Sequence, residues 1–151
     1  MKNDPKIIHF YAVSQPWGEF SNFAAYPIRL KGKTWPTTEH YFQAQKFSGT
    51  KMEEQVRKAS SPMKAAEMGR SRKVRIRKNW DHHRDNVMYE AVWAKFTQHE
   101  DLRKLLLSTD DAILVEHTEN DHYWGDGGDG SGKNRLGKIL MKVRAKLNSQ
   151  A

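Results

Sequence analysis

Near the end of the chain, Leu136, Ile139, Leu140, Val143 and Leu147 recur at i, i+3, i+4, i+7 and i+11, one apolar helix face. This spacing predicts a closing helix. Val87, Met88, Ala91, Val92 and Ala94 form a second such stripe, with Trp93 and Phe96 at its margins. They predict a long helix that starts at Asn79 or Asp81 and runs to about His99. Shorter helices are expected around 51–59 and 101–107, and another after Ser61, with Ser61 as cap, Pro62 in the first turn and Gly69 as stop. Strand signals are fewer. Residues 7–12 form a β-rich run, 26–30 and 33–35 flank a Lys31-Gly32 turn as a hairpin, and 112–116 reads as one more strand.

The segment Trp35-Pro36-Thr37-Thr38-Glu39-His40-Tyr41-Phe42-Gln43-Ala44-Gln45-Lys46-Phe47 departs from this simple patterning. Pro36 and the two threonines supply a helix start. Glu39, Gln43 and Lys46 then share one face at i, i+4 and i+7, while Tyr41, Phe42, Ala44 and Phe47 cover the other sides. Glu39 and Lys46 stand about 10 Å apart along the axis, suited to bracketing a ligand. A half-buried reaction site fits this stripe. So does a solvated stripe with a weak Glu–Lys contact.

The fold class that emerges is α+β: a compact, mainly helical single domain with a small β-sheet. No repeat or low-complexity linker divides the 151 residues, which suffice to bury roughly 68–70% of the unfolded surface. Hydrophobic residues make up 37%, supplemented by 5 Trp, 6 Phe and 5 Tyr that carry large buried areas. No apolar run approaches the roughly 18 residues of a bilayer span, and the opening residues lack the apolar stretch of a signal peptide. With no cysteine, disulfides and thiolate zinc sites are excluded, and a cytoplasmic location without membrane contact is expected.

A net charge of +8 directs attention to anionic ligands. Six of the nine residues in 70–78 are basic, and Val74 and Ile76 alternate with Lys73, Arg75 and Arg77. An extended stretch would put cations on one side, as a phosphate clamp built from Arg70, Arg72 and Arg77, a nucleic-acid patch or a solvated edge strand. Trp80 follows directly, placed either to stack on a base or to pack in the core.

A second rich region spans 119–134 and feeds into the closing helix, whose N-terminus favours anions. Gly127, Gly132 and Lys133 almost spell a P-loop, but Asn134 stands where Ser or Thr would hold magnesium. Asp121, Asp126 and Asp129 lack calcium-loop spacing, and His82, His83, His117 and His122 lack zinc spacing. No metal and no cofactor is expected. Glu39 and Asp121, with aromatics and a cationic clamp, suit cleavage at the anomeric carbon of a phosphorylated riboside, where a carboxylate steadies an oxocarbenium-like transition state or activates water.

Trp17-Gly18-Glu19-Phe20-Ser21-Asn22-Phe23, the 35–47 segment, Ser61-Pro62, Gly69-Arg70, Asn79-Trp80, Ala94-Lys95-Phe96, Asp121-His122-Tyr123-Trp124-Gly125-Asp126-Gly127 and Asn134-Arg135-Leu136-Gly137 occur in an order that closely resembles the NADAR family of N-glycosidases. The resemblance covers about 8–147. It implies a mostly helical α+β fold and hydrolysis of an N-glycosidic bond in a small phosphorylated N-riboside. The implied substrates are early riboflavin-pathway intermediates such as 5-amino-6-(5-phosphoribosylamino)uracil; other branches of the family act on ADP-ribose attached to guanine in nucleic acid. By motif position, Glu39, Trp80, Asp121 and Lys46 correspond to functional residues, with Lys46 open to an imine-forming role. Asn22, Phe20, Trp124, Gly125 and Asp126 complete the expected substrate contacts. A basic nucleic-acid-binding module without catalysis is the alternative from another class.

Overall fold

The computed structural model describes residues 4–150. The polypeptide forms two compact units, one from Asn22–Gln98 and the other from the described parts of Met1–Ser21 and His99–Ala151.

The Asn22–Gln98 unit opens with a hairpin of β1 (Ile28–Leu30) and β2 (Lys33–Trp35), paired antiparallel with Ile28 opposite Trp35. Lys31 and Gly32 turn the chain with φ of 56° and 73°, a conformation that suits glycine at the second position. Four helices follow: α1 (Thr38–Gln45), α2 (Lys51–Arg57), α3 (Pro62–Arg70) and α4 (Trp80–Gln98). Thr37 caps α1 by accepting the His40 amide at 3.1 Å, and Ser61 caps α3 by accepting the Lys64 amide at 3.0 Å. Helix α1 packs against α2, α3 and α4 together, so all eight of its residues are buried. Trp35 seals one end, edge-on to Tyr41 at 5.1 Å, and Tyr41 donates to Glu90 of α4 at 2.9 Å.

In the other unit β3 (Ile7–Phe10) pairs in parallel with β4 (Ile113–Glu116). Helices α5 (Glu100–Ser108) and α6 (Arg135–Ser149) pack on each other, and α6 packs on β4. Leu136, Ile139, Leu140, Val143 and Leu147 are buried as their periodicity predicts. Helix and strand approach so closely that a Cβ at Gly137 would stand 2.0 Å from the Leu114 carbonyl oxygen.

The mainly helical α+β class is as expected, with the strands divided between two two-stranded sheets. Three local expectations change. Residues 71–79 are irregular, because the alternating 73–77 stretch has no neighbouring strand to complete a ladder. Gly69 lies inside α3 instead of stopping it. Phe96 is fully buried, not marginal. No helix among the described residues is long and apolar enough to cross a membrane.

Candidate active site

Burial removes the solvated reading of the α1 stripe. Glu39 is 8% exposed, Gln43 7% and Lys46 9%, so this is not a solvated ion pair. Removing a carboxylate and an amine from water costs several kcal/mol per ion unless the surroundings compensate. Neighbouring polar groups supply compensation. Gln43 Nε2 donates to Glu39 Oε2 at 2.8 Å, while Gln43 Oε1, also buried, accepts no hydrogen bond. Lys46 Nζ donates to the Gly69 carbonyl at 3.3 Å and stands 5.8 Å from the Phe42 ring centroid.

The environment holds the Lys46 ammonium down to about 8. Burial is the main cause, Arg72 adds to it, Glu39 opposes it and Arg70 contributes further lowering. An amine in this state is largely cationic at neutral pH yet supplies a useful fraction of neutral nucleophile.

The start of α1 is fixed from the residue side as well. The Asn22 carbonyl accepts the Glu39 amide at 3.2 Å, and Asn22 Oδ1 accepts the Thr38 hydroxyl at 2.8 Å. Asn22 Nδ2 lies 3.4 Å from Met88 Sδ of α4. The Asn22 side chain therefore anchors the turn that presents Glu39. His40, next in sequence, is structural. Its Nε2 lies 3.0 Å from the Ala59 carbonyl, which can only accept, so Nδ1 is the acceptor for Thr37 Oγ1 at 2.8 Å. Burial lowers its pKa and the Ala59 bond opposes this, in keeping with a neutral ring.

Trp80 is the first residue of α4 and is 7% exposed, its ring 5.3 Å from Phe42. Because Phe42 also underlies Lys46, Trp80, Phe42 and Lys46 form one aromatic–cation wall beside the Glu39–Gln43 pair. Of the expected clamp, Arg72 Nη1 donates to the Gly69 carbonyl at 2.8 Å and to the Arg70 and Ser71 carbonyls. Its guanidinium thus closes the C-terminus of α3 and shares the Gly69 oxygen with Lys46. Arg70 is exposed. Arg77 is half-buried, and its amide donates to the Lys46 carbonyl at 2.7 Å, which threads the irregular basic segment past α1.

Gln43 and Gly69 were outside the expected site set. The Glu39–Gln43 spacing signalled the first; nothing in the spacing of Gly69 signalled its role.

In the other unit, the 117–134 loop is built around its own aspartates. Asp121 Oδ1 accepts the amides of Tyr123 at 2.9 Å and Trp124 at 2.8 Å, which orients the carboxylate. Trp124 is half-buried and meets Tyr123 edge-on at 4.8 Å. Asp126 is buried, with Oδ1 accepting from Thr118 and Gly128 amides and Oδ2 facing His117. Gly125 is buried where a Cβ would meet the Thr118 methyl at 2.8 Å, and Phe20 is 1% exposed between Trp17 and Phe10. The N-terminus of α6 is not open to an anion at its first amides: Arg135 and Leu136 donate to the Tyr123 and Trp124 carbonyls. The Asn134 side chain bridges the Glu116 amide and the Leu114 carbonyl.

Comparison with known proteins places these features in context. The NADAR domain matches residues 9–148. N-glycosidase YbiA of Escherichia coli (strain K12) is 61% identical over 141 residues, covering 93% of this chain and 88% of that protein. The NMR structure of the E. coli protein YbiA superposes with a TM-score of 0.90 at 58% identity, over 99% of this chain and 89% of that one. N-glycosidase Npun_R5314 of Nostoc punctiforme is 43% identical, covering 94% of this chain and 93% of that protein. The riboflavin biosynthesis protein VVA0006 of Vibrio vulnificus is 41% identical over 95% of this chain, which spans 39% of that longer protein.

Proposed function

The chain belongs to the NADAR family and is an N-glycosidase, and from that premise we propose that it hydrolyses the N-riboside bond of phosphorylated aminopyrimidine intermediates such as 5-amino-6-(5-phosphoribosylamino)uracil. The products are ribose 5-phosphate and the free aminopyrimidine. The observation that carries the reading is the burial of Glu39, Gln43 and Lys46 on one helix face, beside the Trp80–Phe42 pair. The likeness to a relative named as a riboflavin biosynthesis protein supports the pathway of the substrate.

The chemistry follows from the groups. As the C1–N bond lengthens, positive charge develops on the sugar, and the Glu39 carboxylate stabilises it in a desolvated setting. Water adds to C1 and gives its proton to Glu39. The departing nitrogen takes a proton from a second acid, the role assigned to Asp121. Trp80 and Trp124 are stacking walls for the planar base, and Arg70 and Arg77 are the cations left to meet phosphate once Arg72 is engaged by carbonyls. Gln43 is the group that holds the Glu39 carboxylate in place, through its Nε2 donor.

Two observations favour a second reading. The exposed cations of 70–78 suit a polyanion, and a Lys46 held near 8 suits an imine with ribose C1, as removal of ADP-ribose from guanine in nucleic acid would use. The two readings separate in one experiment. The protein is incubated with the aminopyrimidine riboside and, separately, with ADP-ribosylated DNA, each with and without borohydride. Release of ribose 5-phosphate from the first supports the proposed substrate. A borohydride-trapped lysine adduct with the DNA, and no turnover of the riboside, overturns it.

A further inference from the structure

Strand pairing between β3 and β4 brings together His9 and His117, which the proposed reaction does not use, and sets them against Asp126, one of the expected substrate contacts. His9 stands opposite Val115 in the parallel β3–β4 register. His117 lies two residues beyond Val115, and its amide continues the ladder to the Phe10 carbonyl at 2.9 Å. With a side-chain period of two, both imidazoles rise from the same face. Their centroids are 4.8 Å apart with the rings tilted by 38°.

Asp126 meets them from the following loop. Its Oδ2 is 2.8 Å from His117 Nδ1, and its Oδ1 is pinned by the Thr118 amide at 3.0 Å and the Gly128 amide at 2.8 Å. The Asp126 amide and carbonyl are also engaged, by Glu116 and Gly132. One ligating atom from each of His9, His117 and Asp126 lies within 4.8 Å of the other two. Asp126 is 5% exposed, whereas both histidines reach solvent.

We propose that His9, His117 and Asp126 bind a divalent transition-metal ion, with zinc as the reference case and the remaining coordination positions open to water. Two imidazoles and one carboxylate favour zinc, cobalt, nickel or copper over magnesium or calcium, which prefer all-oxygen sets. The ion takes the place of the proton between His117 Nδ1 and Asp126 Oδ2. Metal–nitrogen and metal–oxygen distances of about 2.0–2.2 Å put ligands in a tetrahedron about 3.3 Å apart. Reaching that from the present positions requires only small rotations of the two exposed rings about a fixed carboxylate. The backbone bonds to Asp Oδ1 act as the supporting shell that orients a ligand. The expected effect of metal binding is to fasten β3, β4 and the 117–134 loop together.

The test is calorimetric titration of the full chain with zinc chloride, alongside His9→Ala, His117→Ala and a His82→Ala/His83→Ala control. The expected result is one site of micromolar affinity or tighter. Affinity falls at least 10-fold in each of the first two variants and is unchanged in the control. The melting temperature of the wild type rises with zinc, and this rise is lost in His9→Ala, whose metal-free melt matches the wild type. The absence of one-to-one binding overturns the proposal. So does binding that survives either single substitution or that depends on His82 and His83.

Discussion

Gly69 and Gln43 occupy one volume: a Cβ at position 69 would stand 1.8 Å from Gln43 Oε1 and 2.6 Å from its Cδ. The glycine is therefore a packing partner of the amide that holds Glu39, and its carbonyl is at the same time the acceptor for Lys46 Nζ. One residue of α3 governs the placement of two groups on α1. Gly69→Ala is expected to cost about 1–3 kcal/mol of stability through overpacking. In a Gln43→Ala background most of that cost disappears, because the clashing amide is gone. Thermal denaturation of the two single variants and the double variant checks this. Additive effects would mean that the two residues do not share space.

Lys46 gives a pH signature. Its folded pKa of about 8 lies below the ordinary 10.5. Between these values the unfolded chain binds the proton and the folded chain does not, so stability rises with pH across that window. The stability of the wild type minus that of Lys46→Met should increase from pH 8 towards 10.5. Denaturant unfolding at a series of pH values reads it directly. Arg72→Ala removes a neighbouring cation, so the Lys46 titration should move upward, as an NMR titration of the Nζ-attached carbon would record.

Trp80 is tested by conservative replacement, since Trp80→Ala removes a buried indole and costs about 3–5 kcal/mol of stability regardless of function. Trp80→Phe keeps much of the contact with Phe42. If the indole stacks on the base, where losing a stacked ring costs about 1–3 kcal/mol, KM rises, by at most about 150-fold, while kcat changes less. Steady-state kinetics on the folded variant separates the two parameters. An unchanged KM would leave Trp80 as core alone.

How far these features could be read from sequence depends on whether their cause is local. Ser61 with Pro62, the Lys31-Gly32 turn and the apolar period of α6 are short-range signals, and the elements they predict are present. The polar stripe of α1 was visible as spacing, but its burial comes from α2, α3 and α4 enclosing the helix, which no local pattern records. Gly69 reads as a helix stop because glycine often ends helices; its real constraint is the approach of Gln43 from a helix more than twenty residues away. The alternation in 73–77 suggested a strand, yet an extended segment needs a neighbour to pair with. The joining of His9 with His117 depends on parallel pairing across nearly the whole chain, so the histidine spacing gave no hint of it.

Glu39 is where the functional reading concentrates. Glu39→Gln retains the size of the side chain and an oxygen for Gln43 Nε2, so the fold should persist, while the charge that steadies the sugar cation is lost. The direct measurement is the rate of ribose 5-phosphate release from 5-amino-6-(5-phosphoribosylamino)uracil by wild type and Glu39→Gln at equal folded concentration. The expected result is release by the wild type and a fall of about 10²–10⁴-fold in the variant. Equal rates for the two proteins would contradict a catalytic role for the buried face of α1.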